Sequence, residues 1–156
     1  MTHGTGRLVH AYASGMEAPS LRFRRQHEEL MALAVSLTQA LVPSKVAADP
    51  SEARSLLARF RGRLSVHAAM ENDALYPSLA GHADPAVRER AKRLFDEVGP
   101  VYAAVNDHAT RWATAEAIQA DPAQFVRETL EMLKALGRRM TRENEQLYPL
   151  VDATAR

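Results

Sequence analysis

His67 and Glu71 stand four residues apart, the spacing that puts two side chains on one face of a helix. An imidazole nitrogen and a carboxylate oxygen so placed can hold a divalent ion between them. The carboxylate belongs to a longer pattern. Glu71-Asn72-Asp73-Ala74-Leu75-Tyr76-Pro77 returns 72 residues later as Glu143-Asn144-Glu145-Gln146-Leu147-Tyr148-Pro149, with five of seven positions identical. Two parts of the chain therefore do the same structural job. At the place that matches His67 the second copy carries Arg139, whose guanidinium stays protonated and does not ligate metal.

The elements that must position these groups are helices. After Ser20, an expected N-cap, Phe23, His27, Leu30, Ala34, Leu37 and Leu41 form one apolar stripe at alternating spacings of four and three. Val42-Pro43-Ser44 ends that helix. Asp49-Pro50-Ser51-Glu52 opens a second, with the stripe Leu57, Phe60, Leu64, His67, Glu71 and Ala74. A turn at Gly81-His82-Ala83-Asp84-Pro85 leads to a third: Val87, Ala91, Leu94, Val98, Val101, Val105, His108 and Trp112, kinked rather than ended at Gly99-Pro100. Asp121-Pro122 starts a fourth, with Val126, Leu130, Leu133, Leu136 or Gly137, Met140, Glu143 or Asn144, and Leu147. No segment alternates like a strand. The expected fold is all-α, an up-down-up-down antiparallel four-helix bundle over residues 19–156, after a flexible N-terminal arm at 1–18.

Antiparallel helices permit a height comparison, because each rises about 1.5 Å per residue. With turns centred near residues 46, 83 and 119, His27, His67, Glu71, Arg139 and Glu143 fall in one layer of the interior. Helix three crosses that layer at 95–99, where Glu97 is the further candidate ligand. His108 lies about 16 Å along the axis and is read as a core-edge histidine capped by a carbonyl or carboxylate. Two imidazoles with two or three carboxylates inside a bundle is a set suited to iron or manganese. Tyr76 and Tyr148 follow their glutamates by five residues, off the same α-helical face, and are assigned to packing at the bundle end.

These residues resemble a known family. His27 within Arg25-Gln26-His27-Glu28-Glu29-Leu30, His67 and Glu71 followed by Leu-Tyr-Pro, and Glu143 followed by Leu-Tyr-Pro are similar to the hemerythrin-like, HHE cation-binding domain, over about residues 20–151. The resemblance implies a bundle around a non-haem di-iron centre. His27 and His67 would then be terminal ligands of one iron, and Glu71 and Glu143 the bridging carboxylates. The histidines of the second iron are missing, and Arg139 stands where helix four would supply one. Its fixed charge repels a second cation and can pair with Glu71, Glu143 or Glu97. Three carboxylates, one divalent ion and Arg139 would sum to zero charge.

The expected function is thus a metal-binding or sensing protein with a reduced site, holding one iron, with manganese or an empty site as the alternatives to iron. A small diatomic molecule or peroxide is the expected ligand. The rival readings are a metal-free structural or interaction module and, below it, a small redox enzyme acting on peroxide or another oxidant. The chain of 156 residues has 20 basic and 19 acidic side chains, which gives no reason to expect nucleic acid or an anionic membrane as partner. It has no cysteine, so disulfides and thiolate chemistry are excluded. The absence of a long apolar run and of a basic-then-apolar leader gives a cytoplasmic expectation.

Overall fold

The computed structural model describes residues 17–155; residues 1–16, most of the expected arm with His3 and His10, lie outside the described residues. All regular structure among the described residues is helical. Helix α1 is Leu21–Ala40, α2 Pro43–Ala48, α3 Ser51–Met70, α4 Tyr76–Ala80, α5 Pro85–Arg111, α6 Ala115–Ala120, α7 Pro122–Arg142 and α8 Tyr148–Thr154. Two π-helical segments, Glu71–Leu75 and Glu143–Leu147, join α3 to α4 and α7 to α8. The result is four long helical runs and two short helices. The short ones, α2 and α6, occupy segments expected to be plain turns. Pro43 supplies a preset φ at the start of α2, and Thr114 caps α6 by accepting from Ala117 N–H at 3.1 Å. None of these helices is long and apolar enough to cross a membrane.

Start signals mostly hold. Asp84 accepts from Ala86 N–H at 2.9 Å at the head of α5, and Asp121 from Gln124 N–H at 3.1 Å at the head of α7. Helix α5 continues through Gly99-Pro100. Ser20 corrects its assignment: it makes no cap bond to α1. Its hydroxyl instead donates to Asp152 at 2.7 Å and its N–H to the same carboxylate at 3.0 Å, tying the start of α1 to α8.

Each π segment ends two residues before a proline. Pro77 and Pro149 lack an N–H, and in an α-helix their rings would press on the carbonyls of Asp73 and Glu145, four residues earlier. Widening the preceding turn relieves that pressure. Tyr76 N–H then bonds Glu71 O and Tyr148 N–H bonds Glu143 O, both spanning five residues. The extra residue per turn changes which side chains face inward. Ala74, expected in the stripe, is exposed, while Leu75 and Tyr76 are buried; Leu147 and Tyr148 are buried likewise.

Helix α1 packs mainly on α3 and also on α7, while α5 packs on α4 and α7. One apolar cluster gathers Leu30, Leu37, Leu57, Phe60, Phe125 and Leu136 with Trp112 and Ile118. A second gathers Phe23, Leu75, Tyr76, Leu94, Leu147 and Tyr148. Each fully buried side chain of this size contributes ~1.5–3 kcal/mol by leaving water. In α7 the inward stripe lies beside the expected one. Phe125, Thr129 and Met132 are buried, whereas Leu130 is exposed and Leu133 half-buried. Phe125, fully enclosed and set edge-on against Trp112, fixes that rotation.

Candidate metal centre

A polar group is buried where α1, α3, α7 and both π segments meet. His27 comes from α1, His67 from α3, Arg139 from α7, and Glu71 and Glu143 open the two π segments. All five are buried, with Glu71 fully enclosed and Arg139 5% exposed. One ligand atom from each of His27, His67, Glu71 and Glu143 lies within 4.8 Å of all the others.

The imidazoles are oriented from behind. His67 Nδ1 lies 2.7 Å from Gln26 Oε1, and the Gln26 amide nitrogen is engaged by Met70 Sδ at 3.1 Å. His27 Nδ1 lies 2.9 Å from Asn144 Oδ1. Each Nδ1–H donates to an amide oxygen, so each Nε2 keeps its lone pair and turns it inward. The two Nε2 atoms are 3.0 Å apart. His67 Nε2 is 2.6 Å from Glu71 Oε1, and His27 Nε2 is 3.5 Å from Glu143 Oε1. Acceptors this close repel one another unless positive charge sits among them, as a proton or a cation. Both oxygens of Glu71 and both of Glu143 lack a hydrogen-bond partner. An enclosed cluster of unpaired acceptors is the condition a cation relieves, and the set fits a borderline or hard divalent ion.

Burial, and then the neighbouring Glu143 carboxylate, raise the Glu71 pKa to about 10. Burial opposes ionisation of Glu143 too, but contacts with His27 and Glu71 and the Arg139 charge outweigh it and hold that group at about 2. His67 is pushed down to about 4 by burial and by His27 beside it. Without a cation, Glu71 thus carries a proton, His67 is neutral, and ionised Glu143 balances Arg139.

Arg139 neither reaches solvent nor forms a bidentate pair. Its Nε is 3.3 Å from Glu143 Oε1 and one Nη is 3.8 Å from Glu71 Oε1, without hydrogen-bond geometry. Its guanidinium lies 3.5 Å from the centre of the Tyr102 ring, a cation–π contact. Glu97 lies outside the cluster. It is about half exposed and receives two hydrogen bonds from Arg142, at 2.7 and 3.0 Å. Helix α5 meets the centre through Tyr102, beyond the 95–99 window of equal height.

Tyr148 packs in the core as assigned, and it also reaches the centre. Its enclosed hydroxyl lies 3.0 Å from His27 Nε2. Asn144, Gln26 and Tyr102 also went unrecognised as supports of the centre. The signal for Tyr148 was present, since a proline after each Leu-Tyr pair opens the turn that holds the glutamate. His108 is remote from the centre, as expected, but its Nε2 lies 2.9 Å from the Thr129 hydroxyl rather than a carbonyl or carboxylate.

An all-helical protein with a buried His-Glu cluster able to hold a metal ion falls within the class of cation-binding helical domains. The chain matches the hemerythrin HHE cation-binding domain over residues 18–151 and belongs to that family. No curated protein and no solved structure matches it.

Proposed function

We propose that this protein binds one iron ion through His27, His67, Glu71 and Glu143 and serves as a metal-binding or sensing protein of the cytoplasm. Arg139 takes the place, and part of the charge, of a second ion. The scaffold is a single domain from about residue 19, its four long runs alternating up, down, up and down. The observation that carries this reading is the convergence of one ligand atom from each of His27, His67, Glu71 and Glu143 within 4.8 Å of one another, with carboxylate oxygens that lack hydrogen-bond partners and with the amide oxygens of Gln26 and Asn144 behind the two rings. Manganese suits the same donors. An iron held by four protein groups supplies open positions for a diatomic molecule or peroxide.

The test is elemental analysis of protein expressed with iron and manganese available and purified without chelator. The expected result is about one iron per chain, lost in His67→Ala with helicity retained, as one divalent ion fits one set of four ligands. Stoichiometric iron retained by His67→Ala would sink the ligand assignment. A second reading, a metal-free interaction module, is favoured by the internal balance of Arg139 with ionised Glu143 and protonated Glu71. It requires that iron leave the melting temperature unchanged, since a ligand bound only by the folded form must raise it.

A further inference from the structure

Of the arginines and lysines among the described residues, three are drawn in from solvent: Arg24, Arg61 and Arg139. Arg24 donates to the Ser20 hydroxyl at 3.1 Å and lies over the Tyr148 ring. Arg139 has the two carboxylates and the Tyr102 ring. Arg61, half-buried on α3, is paired with neither a carboxylate nor an aromatic ring among the described residues. Burial lowers its pKa. A cation partly removed from water without a partner calls for an anion.

Arg61 lines a groove of about 430 Å³ between α3 and α5. Along α3 and its π segment, Arg61, Ser65, Ala68 and Asn72 follow one another at helical spacing and form one wall. Tyr102, Val105 and Asn106 of α5 form the other. No acidic side chain among the described residues lines the groove, and burial keeps the Tyr102 hydroxyl protonated. Arg61 therefore supplies its one formal charge. Ser65, Asn72 and Asn106 are exposed, and each offers both a donor and an acceptor. The volume falls within the range of small-molecule sites, about 300–1,000 Å³. Its exposed lining sets this groove apart from the enclosed His-Glu cluster.

We propose that this surface groove binds a small organic monocarboxylate, its carboxylate on Arg61 and the polar groups of its body on Ser65, Asn72 and Asn106. One guanidinium matches one carboxylate both in charge and in its paired donors. A phosphate monoester would bring a second negative charge to a groove whose lining has no second cation. The three neutral polar side chains select a body bearing hydroxyl or amide groups over a plain alkyl chain. This site needs no metal and is independent of the reading above.

The test is a titration of the isotope-labelled full chain, followed by amide chemical shifts, with and without chelator. N-acetylglycine and lactate are the probes, lactamide is the neutral control, and methyl phosphate is the dianionic comparison. The expected result is saturable shifts centred on residues 61–72 and 102–106 with both carboxylates, unchanged by chelator and absent with lactamide. Arg61→Gln should weaken N-acetylglycine by about tenfold to a hundredfold, the loss of a charge-assisted pair. Asn106→Ala should weaken it by about threefold to tenfold, the loss of a neutral contact. Arg127→Gln removes an exposed arginine of α7 that also has no carboxylate partner among the described residues, and should leave the affinity unchanged. If Arg61→Gln does not fold, Asn106→Ala decides, since it alters one exposed side chain. Equal affinity in wild type and the folded groove variants would overturn the proposal, as would an equal loss in Arg127→Gln. Lactamide binding as well as lactate, or methyl phosphate binding more tightly than either carboxylate, would overturn the monocarboxylate assignment.

Discussion

Gln26 sets the tautomer of His67, and replacing it with leucine isolates that role. Leucine has similar bulk but no acceptor, so the enclosed Nδ1–H of His67 loses the oxygen 2.7 Å away. Leaving that donor unpaired costs about 1–3 kcal/mol. The ring escapes the cost by moving its proton to Nε2, where Glu71 Oε1 lies 2.6 Å off and accepts it. That proton then occupies the lone pair a cation needs. On either path metal affinity should fall about tenfold to a hundredfold, the usual effect of removing a partner behind a metal-binding histidine, or about 1.4–2.8 kcal/mol. Gln26 is half-buried on α1, so the metal-free variant should fold and melt close to wild type. The assay is competition against a calibrated chelator with zinc and with ferrous iron, alongside imidazole nitrogen chemical shifts of the metal-free protein. The shifts should report His67 moving from the Nδ1–H to the Nε2–H form. Gln26→Glu, which offers a charged acceptor, should bind metal more tightly than wild type. Wild-type affinity in Gln26→Leu, with the proton still on Nδ1, would sink this assignment.

Other expectations concern charge and stoichiometry. Binding a divalent ion must displace the proton that burial and Glu143 keep on Glu71, whose pKa stands at about 10. Affinity should therefore rise about tenfold per pH unit between pH 7 and 9, with about one proton released per ion in a weakly buffered titration. Arg139→His removes the fixed charge and adds an imidazole at a buried position of the cluster; metal content should move from one toward two, and unchanged content in the folded variant would count against Arg139 as the substitute for an ion. His108 is held neutral by burial, and next by the charge of Arg61, at about 4 against an ordinary 6.5. The unfolded chain takes up that proton first, so stability present above pH 6.5 should be lost as pH falls toward 4. His108→Leu should flatten the acid slope of the denaturation midpoint relative to wild type; identical slopes would refute a neutral buried histidine.

The candidate cluster could be read from the sequence because its periodicity is independent of side-chain detail. His27, His67, Glu71, Arg139 and Glu143 fall at one height once the turns are placed, and the structure buries all five together. What sits around them was less legible. The comparison of heights assumed α-helical pitch throughout, and the π segments break that assumption where the two glutamates stand. This hid Tyr148 and misplaced Ala74. Glu97 was selected by height alone, but on α5 it points to Arg142, a pairing between helices that no single-helix pattern contains. Ser20 has the type of an N-cap, yet the Asp152 carboxylate, 132 residues on, outcompetes the cap bond. Composition cannot weigh a local partner against a distant one.

The two π turns have a consequence for metal loading. Each is followed by a proline whose bulk disfavours a regular α-turn at that point, so local sequence favours the backbone that aims Glu71 and Glu143. A site whose backbone is arranged in advance binds with little loss of conformational entropy. Loading such a site changes its charge first, because a proton leaves Glu71 as the cation enters.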